Sequence, residues 1–371
     1  MTHDLIVVGS GILGLATAYL AHKQGQTVHV IEAGDRPVES SIQNFGHACF
    51  TGQADLIQPV AARARRGWLE AAHDVGFWAA ESGTWIPVMT DVEMQVLREF
   101  SSHRGEDQAR LVGAAEIADA LANPGLGAVG GAHLPQDVRV NPREVAPRIV
   151  EWLRGEGVDF TWNTQVTGIG DGVVETVRGA FDARYVVACP GYKLMGLFPG
   201  LAEDHGVRVC TLAMSLIERP SRLGPEFGML TGTSLARYAG FAAMESVPEL
   251  RAELAQREPE LVAMIANLMV TGIDAGLLIG DSHAYSLTPE PFIEEDVAST
   301  LLDRATSLLG IEAPRVKQRW LGRYSDSATT NLVLERPDEK TTVMVVTSGI
   351  GMTLSFGVAD LALRGGSVEG F

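Results

Sequence analysis

The chain has 371 residues, and its 46 acidic against 29 basic side chains leave a formal charge of −17. A negative field of that size repels phosphate backbones and argues against nucleic acid as a partner. With 46% hydrophobic and 20% charged residues there is ample material for a core, which excludes disorder as the main state, and no apolar run reaches the roughly 20 residues of a bilayer span.

Cys49, Cys189 and Cys210 are too few and too scattered for a disulfide framework and lack zinc-type pairing, so no metal is expected. The opening Met1-Thr2-His3-Asp4 has no basic segment or cleavage site, and a cytoplasmic location is the expectation. Leu5-Ile6-Val7-Val8 reads as a strand buried on both faces. Gly9-Ser10-Gly11-Ile12-Leu13-Gly14 follows at once, then a helix from Leu15 to about Gly25, then a strand Val28–Ile31 closing on Glu32. Gly9 permits the tight turn, Gly11 lets the backbone approach a pyrophosphate at the positive end of the helix, and Gly14 lets helix and strand pack closely. A carboxylate at Glu32 stands where it can accept from ribose hydroxyls, and it disfavours a 2′-phosphate. The series describes a dinucleotide site without separating FAD from NAD. The loop from Arg36 to Gly46 favours the flavin, because a nicotinamide enzyme would there continue its alternation of strand and helix.

Further along, Pro59 to Ala80 reads as a helix carrying Trp68, Leu69, Ala72, Val75 and Trp78, and Asp91 to Ser101 as another. A short helix begins at Ala114. Asn141 caps a helix that opens on Pro142 and runs to about Arg154. Val158–Trp162 and Val166–Ile169 read as strands, and Tyr185–Ala188 as a buried strand stopped at Gly191. Val207 to Ile217 and Gly276 to Gly280 are long β-type runs with an acidic helical stretch, Pro248 to Thr271, between them. A mostly antiparallel sheet with helices on one side is the expected arrangement. Glu294 to Leu309 is a further helix. Thr342–Thr347 is a strand, Ser348-Gly349-Ile350-Gly351-Met352-Thr353 a second glycine turn, and Leu354 to Leu363 a helix. A second helix N-terminus aimed inward implies a second grip on a large ligand.

These pieces together resemble the FAD-dependent superfamily of D-amino-acid, glycine and sarcosine oxidases over essentially the whole chain. The resemblance rests on Gly9-x-Gly11-x-x-Gly14 with Glu32, on Ser40-Ser41-x-x-Asn44-x-Gly46, and on Ser348 to Thr353. It implies a mixed α/β fold in which a Rossmann-like FAD part (1–48, 140–208 and 318–371) interleaves with an α+β substrate part (49–139 and 209–317). It implies noncovalent FAD held by Gly9, Gly11, Ile12, Leu13, Gly14, Glu32, Ala33, Ser40, Ser41, Asn44, Phe45, Gly46, Cys189, Gly191, Gly349, Ile350, Gly351, Met352 and Thr353, with the backbone of Val166 on the adenine. Asn44-Phe45-Gly46 and Thr51-Gly52-Gln53 resemble, more narrowly, a bacterial subgroup found beside phosphonate-breakdown genes.

The reaction implied is oxidation of a small primary or secondary amine, in the narrower reading an aminophosphonate. Hydride passes to flavin N5, the imine hydrolyses to an aldehyde or oxo acid, and O2 is the expected final acceptor, giving H2O2. His47, His283, Tyr285 and Arg323 are the candidates for orienting the substrate, with Arg237 and Tyr238 on a further strand. His283 and Tyr285 would share one face of a strand Asp281–Tyr285. Trp320-Leu321-Gly322-Arg323-Tyr324 departs from the Trp-x-Gly-x-Arg-Pro run of glycine oxidases, because its arginine comes one place early and no proline follows. The rival readings are a general glycine, D-amino-acid or sarcosine-type oxidase, a flavin hydroxylase through Gly280-Asp281, an NAD-linked dehydrogenase, and a flavin subunit of a larger complex. Monomer and homo-oligomer both remain open.

Overall fold

The aliphatic runs near the two ends of the chain meet in one sheet. In the computed structural model, which describes residues 3–366, His3–Val8 pairs in parallel with Val28–Ile31, and that strand with Asp159–Thr161. On its other side His3–Val8 pairs in parallel with Gly179–Ala188, which pairs in parallel with Thr341–Val346. Leu332–Asp338 closes this edge antiparallel, and Val166–Gly170 with Val173–Thr176 fold onto the first half of Gly179–Ala188, making eight strands. Leu5 to Val8 and Val28 to Ile31 are buried throughout, as parallel strands covered on both faces require. Met1, Thr2 and the last five positions of the expected 318–371 segment lie outside the described residues.

One face of the sheet carries the helices Ile12–Lys23 and Gly351–Leu363, which pack on each other. Both are apolar almost all round, as helices enclosed between neighbours must be. The final helix also packs on Gln58–Val75. There the lack of a side chain matters, because a Cβ on Gly357 would stand 2.2 Å from the Val60 carbonyl and one on Gly67 2.6 Å from Phe356 Cβ. Trp68, fully buried, donates its indole N–H to the Met352 carbonyl at 2.8 Å. Burying a side chain of that size contributes on the order of 3 kcal/mol, and here it locks the start of the last helix.

The second sheet has nine strands. Arg208–Ile217 is its spine, paired antiparallel with Val316–Asp326 along its whole length and with Gly276–Gly280 and Ala284–Ser286. Met269–Ile273, Gly228–Leu230, Thr84–Val88, Gly130–Leu134 and Arg110–Gly113 extend it. A three-stranded patch of His47–Ala48, Val138–Val140 and Ala79–Ala80 bridges the two parts. Among the described residues no helix is long and apolar enough to cross a membrane.

Several expectations change. The helix from Pro59 stops at Val75, where Gly76 takes φ +78°, so Trp78 lies outside it. The acidic stretch Pro248–Thr271 divides into helices Val247–Arg257 and Pro259–Ala263 followed by the strand Met269–Ile273. Pro259 opens the second helix, which is where a proline ring is tolerated. Two elements cross the expected division of the chain. Residues 318–326 pair into the nine-stranded sheet, and Gln58–Val75, placed with the substrate part, packs on the final helix of the other part.

Candidate active site

The two glycine turns open on one cavity of about 600 Å³. At one end Gly9 takes φ +100°, and a Cβ there would stand 2.6 Å from the Cys189 carbonyl. A Cβ on Gly14 would be 2.0 Å from the Gly9 carbonyl. Bare backbone therefore faces the cavity at the N-terminus of Ile12–Lys23. Ser41 Oγ accepts from the Ile12 amide at 2.8 Å, which ties the polar loop to that helix. Glu32 Oε2 accepts from the Ser10 amide and hydroxyl, and Oε1 from the Gly34 amide. Gly349, at φ +73°, turns the chain into Gly351–Leu363, whose first residues line the same space.

Of the expected cofactor residues, only Gly46 does not line the cavity. It takes φ +64°, and a Cβ on it would stand 2.0 Å from the Val140 carbonyl, so its requirement is the close approach of two backbones. His47, His283 and Arg323 line the cavity; Tyr285 does not. The last strand of this region is only Ala284–Ser286, so His283 precedes it, although its ring centre stands 6.2 Å from that of Tyr285. Tyr285 instead receives a long hydrogen bond from Arg237 at 3.4 Å and lies under the Arg208 guanidinium, 4.2 Å from its ring centre. Arg323 stands beside Glu39 and Tyr192, and its charge helps hold the Glu39 carboxyl below its usual range, after Lys193 and Tyr192. Arg237 and Tyr238 are not on a strand: Arg237 ends the helix Gly232–Arg237 and Tyr238 caps it, both lining the cavity.

The end of the cavity away from the first glycine turn is built by the nine-stranded sheet and its connections: Arg237, Tyr238, Asn267, Met269, Asp281 and His283. Arg237 makes no ion pair within 4 Å among the described residues, whereas Asp281 Oδ2 lies 3.8 Å from His283 Nε2. Burial is the main cause of the perturbed acidities. It raises the Asp281 carboxyl to about 7, against the opposing pull of Arg237, and lowers His283 to about 3. Asn267 and Asp281 were missed as site residues.

Behind His47 lies a polar cluster that the sequence reading also missed. Thr84 Oγ1 donates to Asp137 Oδ2 at 2.6 Å and accepts from Arg139 Nη2 at 2.6 Å. With that hydroxyl proton committed to Asp137, the 2.9 Å contact from His47 Nε2 makes Nε2 the protonated nitrogen. Burial, then Arg139, lowers His47 to about 4, so the ring is neutral and its Nδ1 is an acceptor. His47, Cys49 and Asp137 also place ligand-type atoms within 4.8 Å of one another. The Arg139 guanidinium already supplies the positive charge in this cluster, and burial raises the Cys49 thiol well above its usual range, which opposes a thiolate ligand.

A parallel sheet with bare glycine backbone at two helix N-termini defines a dinucleotide-dependent oxidoreductase built on two parts. The chain belongs to the DAO family of FAD dependent oxidoreductases, whose profile matches residues 4–364. The cavity suits that cofactor. Besides the bare glycine turns, Gln43 Oε1, Ser325 Oγ and Ser348 Oγ are buried without a partner among the described residues, and all three residues line it. By fold the chain is similar to glycine oxidase from Geobacillus kaustophilus (TM-score 0.78, 18% identity, covering 100% of this chain and 96% of that one). It is also similar to L-α-glycerophosphate oxidase from Mycoplasma pneumoniae with FAD bound (TM-score 0.76, 16% identity, 98% and 94% covered). L-2-hydroxyglutarate dehydrogenase from Escherichia coli is 23% identical over 232 residues, 53% of this chain and 51% of that protein. The chain thus spans about half the length of that relative.

Proposed function

We propose that the protein oxidises a small amine bearing an anionic group, at the carbon next to nitrogen. The observation that carries this reading is the single cavity that joins the two glycine turns to Arg237, a cation without an ion-pair partner among the described residues. Gly9 to Gly14, Glu32, Ser40, Ser41 and Gly349 to Thr353 would hold the FAD, which when bound supplies the hydride acceptor. Arg237 takes the substrate's anionic end and fixes the reacting carbon in place. The apolar walls at Phe45, Leu212 and Met269 exclude water around it. The oxidised product, an imine, hydrolyses to an aldehyde or oxo acid, and O2 is the proposed final acceptor.

An aminophosphonate is the finer substrate reading. Two observations support it. Asn44, Phe45 and Gln53, from the two runs that carry the narrower resemblance, all line the cavity. Arg323, from the run that departs from the glycine-oxidase pattern, is grouped with Glu39 and Tyr192 rather than with Arg237. The test is anaerobic mixing of the flavin-loaded protein with glycine, sarcosine, D-alanine, 2-aminoethylphosphonate and N-methyl-2-aminoethylphosphonate. Bleaching of the flavin by the phosphonates is expected; bleaching by the amino acids alone overturns the finer reading, and bleaching by no amine overturns the function.

A further inference from the structure

Several buried hydrogen-bond acceptors that line the cavity have no donor in bonding geometry among the described residues. Asp281 Oδ1, Asn267 Oδ1 and His47 Nδ1 are buried without a partner among the described residues. All three residues line the cavity, and Asp281 and His47 are each 6% exposed. His283 adds a fourth acceptor. Its Nδ1 lies 2.9 Å from the Ile265 carbonyl, which can only accept, so in the neutral ring the proton is on Nδ1 and Nε2 carries a lone pair. That nitrogen stands 3.8 Å from Asp281 Oδ2, beyond direct hydrogen-bond distance. Two acceptors at that separation leave room for one donor group to bridge them.

Buried acceptors in such number call for a donor-rich guest. An alcohol offers one O–H. A primary or secondary ammonium offers three or two N–H groups and a positive charge to set against Asp281. We propose that Asp281, His283 and Asn267 form a receptor for the substrate's ammonium group, and that Asp281 accepts one of its protons. The N–H bond breaks, its electron pair stays on nitrogen, and an O–H bond forms on the carboxylate. The neutral amine left behind can release hydride from its carbon, which the ammonium cannot. This assignment rests on the amine-oxidation reading and names the group that recognises the nitrogen, as Arg237 recognises the anion.

The titratable groups around Asp281 leave it free to do this. They are Arg237, Tyr238, His283, Cys210 and Tyr324. Burial raises the tyrosines and the thiol and lowers the histidine, so all four are neutral near pH 7 and Arg237 is the charged one. The raised value makes Asp281 a stronger base toward the ammonium than an ordinary carboxylate.

The test uses matched ligands with no hydrogen on the carbon that bears nitrogen: 2-aminoisobutyrate against 2-hydroxyisobutyrate, and 2-amino-2-methylpropylphosphonate against its 2-hydroxy counterpart. Calorimetric titration of the flavin-loaded protein at pH 6, in two buffers of different ionisation enthalpy, counts the protons exchanged. In at least one pair the amine should bind at least tenfold more tightly than the alcohol. It should release close to one proton at pH 6, as Asp281 ionises to meet the cation, and almost none at pH 8.5. Asp281→Asn should keep its flavin spectrum, lose the tenfold preference and release no proton. Equal or absent binding of amine and alcohol in both pairs overturns the proposal, and because that comparison uses the wild type alone it decides the matter even if the variant does not fold. Failure of every amine to bleach the wild-type flavin strikes the function itself. Bleaching without a preference for amine over alcohol strikes only the receptor.

Discussion

Thr84→Val tests whether the cluster behind His47 is a working support. Valine has nearly the shape of threonine, so the change leaves no cavity. It removes a hydroxyl that serves three buried groups: Asp137 at 2.6 Å, Arg139 at 2.6 Å and His47 at 2.9 Å. Two of these bonds involve buried charges, and losing a hydrogen bond to a charged group costs about 1.5–3 kcal/mol. A destabilisation of roughly 3–5 kcal/mol follows. Unfolding entropy near 60 °C is about 2.1 cal/mol/K per residue, so a chain of 371 residues should lose about 4–6 °C in Tm. Differential scanning calorimetry of the flavin-free protein measures this, and urea titration gives the free energy directly. Because His47 lines the cavity, the loaded variant should also show a shifted flavin absorption band. A Tm change under about 1 °C with an unaltered spectrum refutes the reasoning, because it would mean that the three groups find water or one another without Thr84.

Other changes separate the remaining roles. Gly14→Ala sets a Cβ 2.0 Å from the Gly9 carbonyl, so purified variant should carry less than a tenth of the wild-type flavin, read from the 450 nm to 280 nm absorbance ratio; full occupancy would show that the turn yields easily. Arg237→Met should raise the KM for anion-bearing amines about 100-fold, as loss of a desolvated charge pair implies, and should leave a simple alkylamine unaffected; equal effects on both would remove the anion-binding role. Acid should weaken the flavin-free fold. His47 and His283 have folded values below the unfolded 6.5, so the unfolded chain binds two more protons as pH falls from 6.5 to 4. Asp281, raised to about 7, binds one more in the folded state over that window. The net single proton gives a loss of roughly 1 kcal/mol per pH unit, with His29 and His133 acting in the same direction. Urea midpoints at pH 6.5 and 5 check the slope, and a flat line contradicts it.

What could be read from the chain and what could not divide along one physical line. The glycine turns are local. Gly9, Gly11 and Gly14 meet their steric demands within a strand and the helix that follows it, and the same holds for Gly349 to Thr353. The acceptor cluster is not local. Asp281, Asn267 and Arg237 come from a strand end, a loop and a helix end that only the pairing of the second sheet brings together. Asn267 was hidden inside a stretch read as one long helix, because Pro259 was not taken as the start of a new one. Asp281 is legible in the sequence as part of a motif from another enzyme class and as the start of an expected strand, but not as a site residue. A usable signal did exist for the cluster behind His47. Asp137-Val138-Arg139-Val140 alternates opposite charges with valines, and two fully buried charges, one on the short strand Val138–Val140 and one just before it, demand partners inside the protein.

The first strand and the final helix share a sheet and a cavity, yet almost the entire polypeptide separates them. Thr341–Val346 docks beside Gly179–Ala188 and carries Gly351 to the same cavity as Gly11. During synthesis the turn at Gly11 leaves the ribosome long before the turn at Gly351, and it emerges with nothing to close against. A chain cut short just before Gly351 would lack one half of the grip on the yellow coenzyme and should be purified colourless.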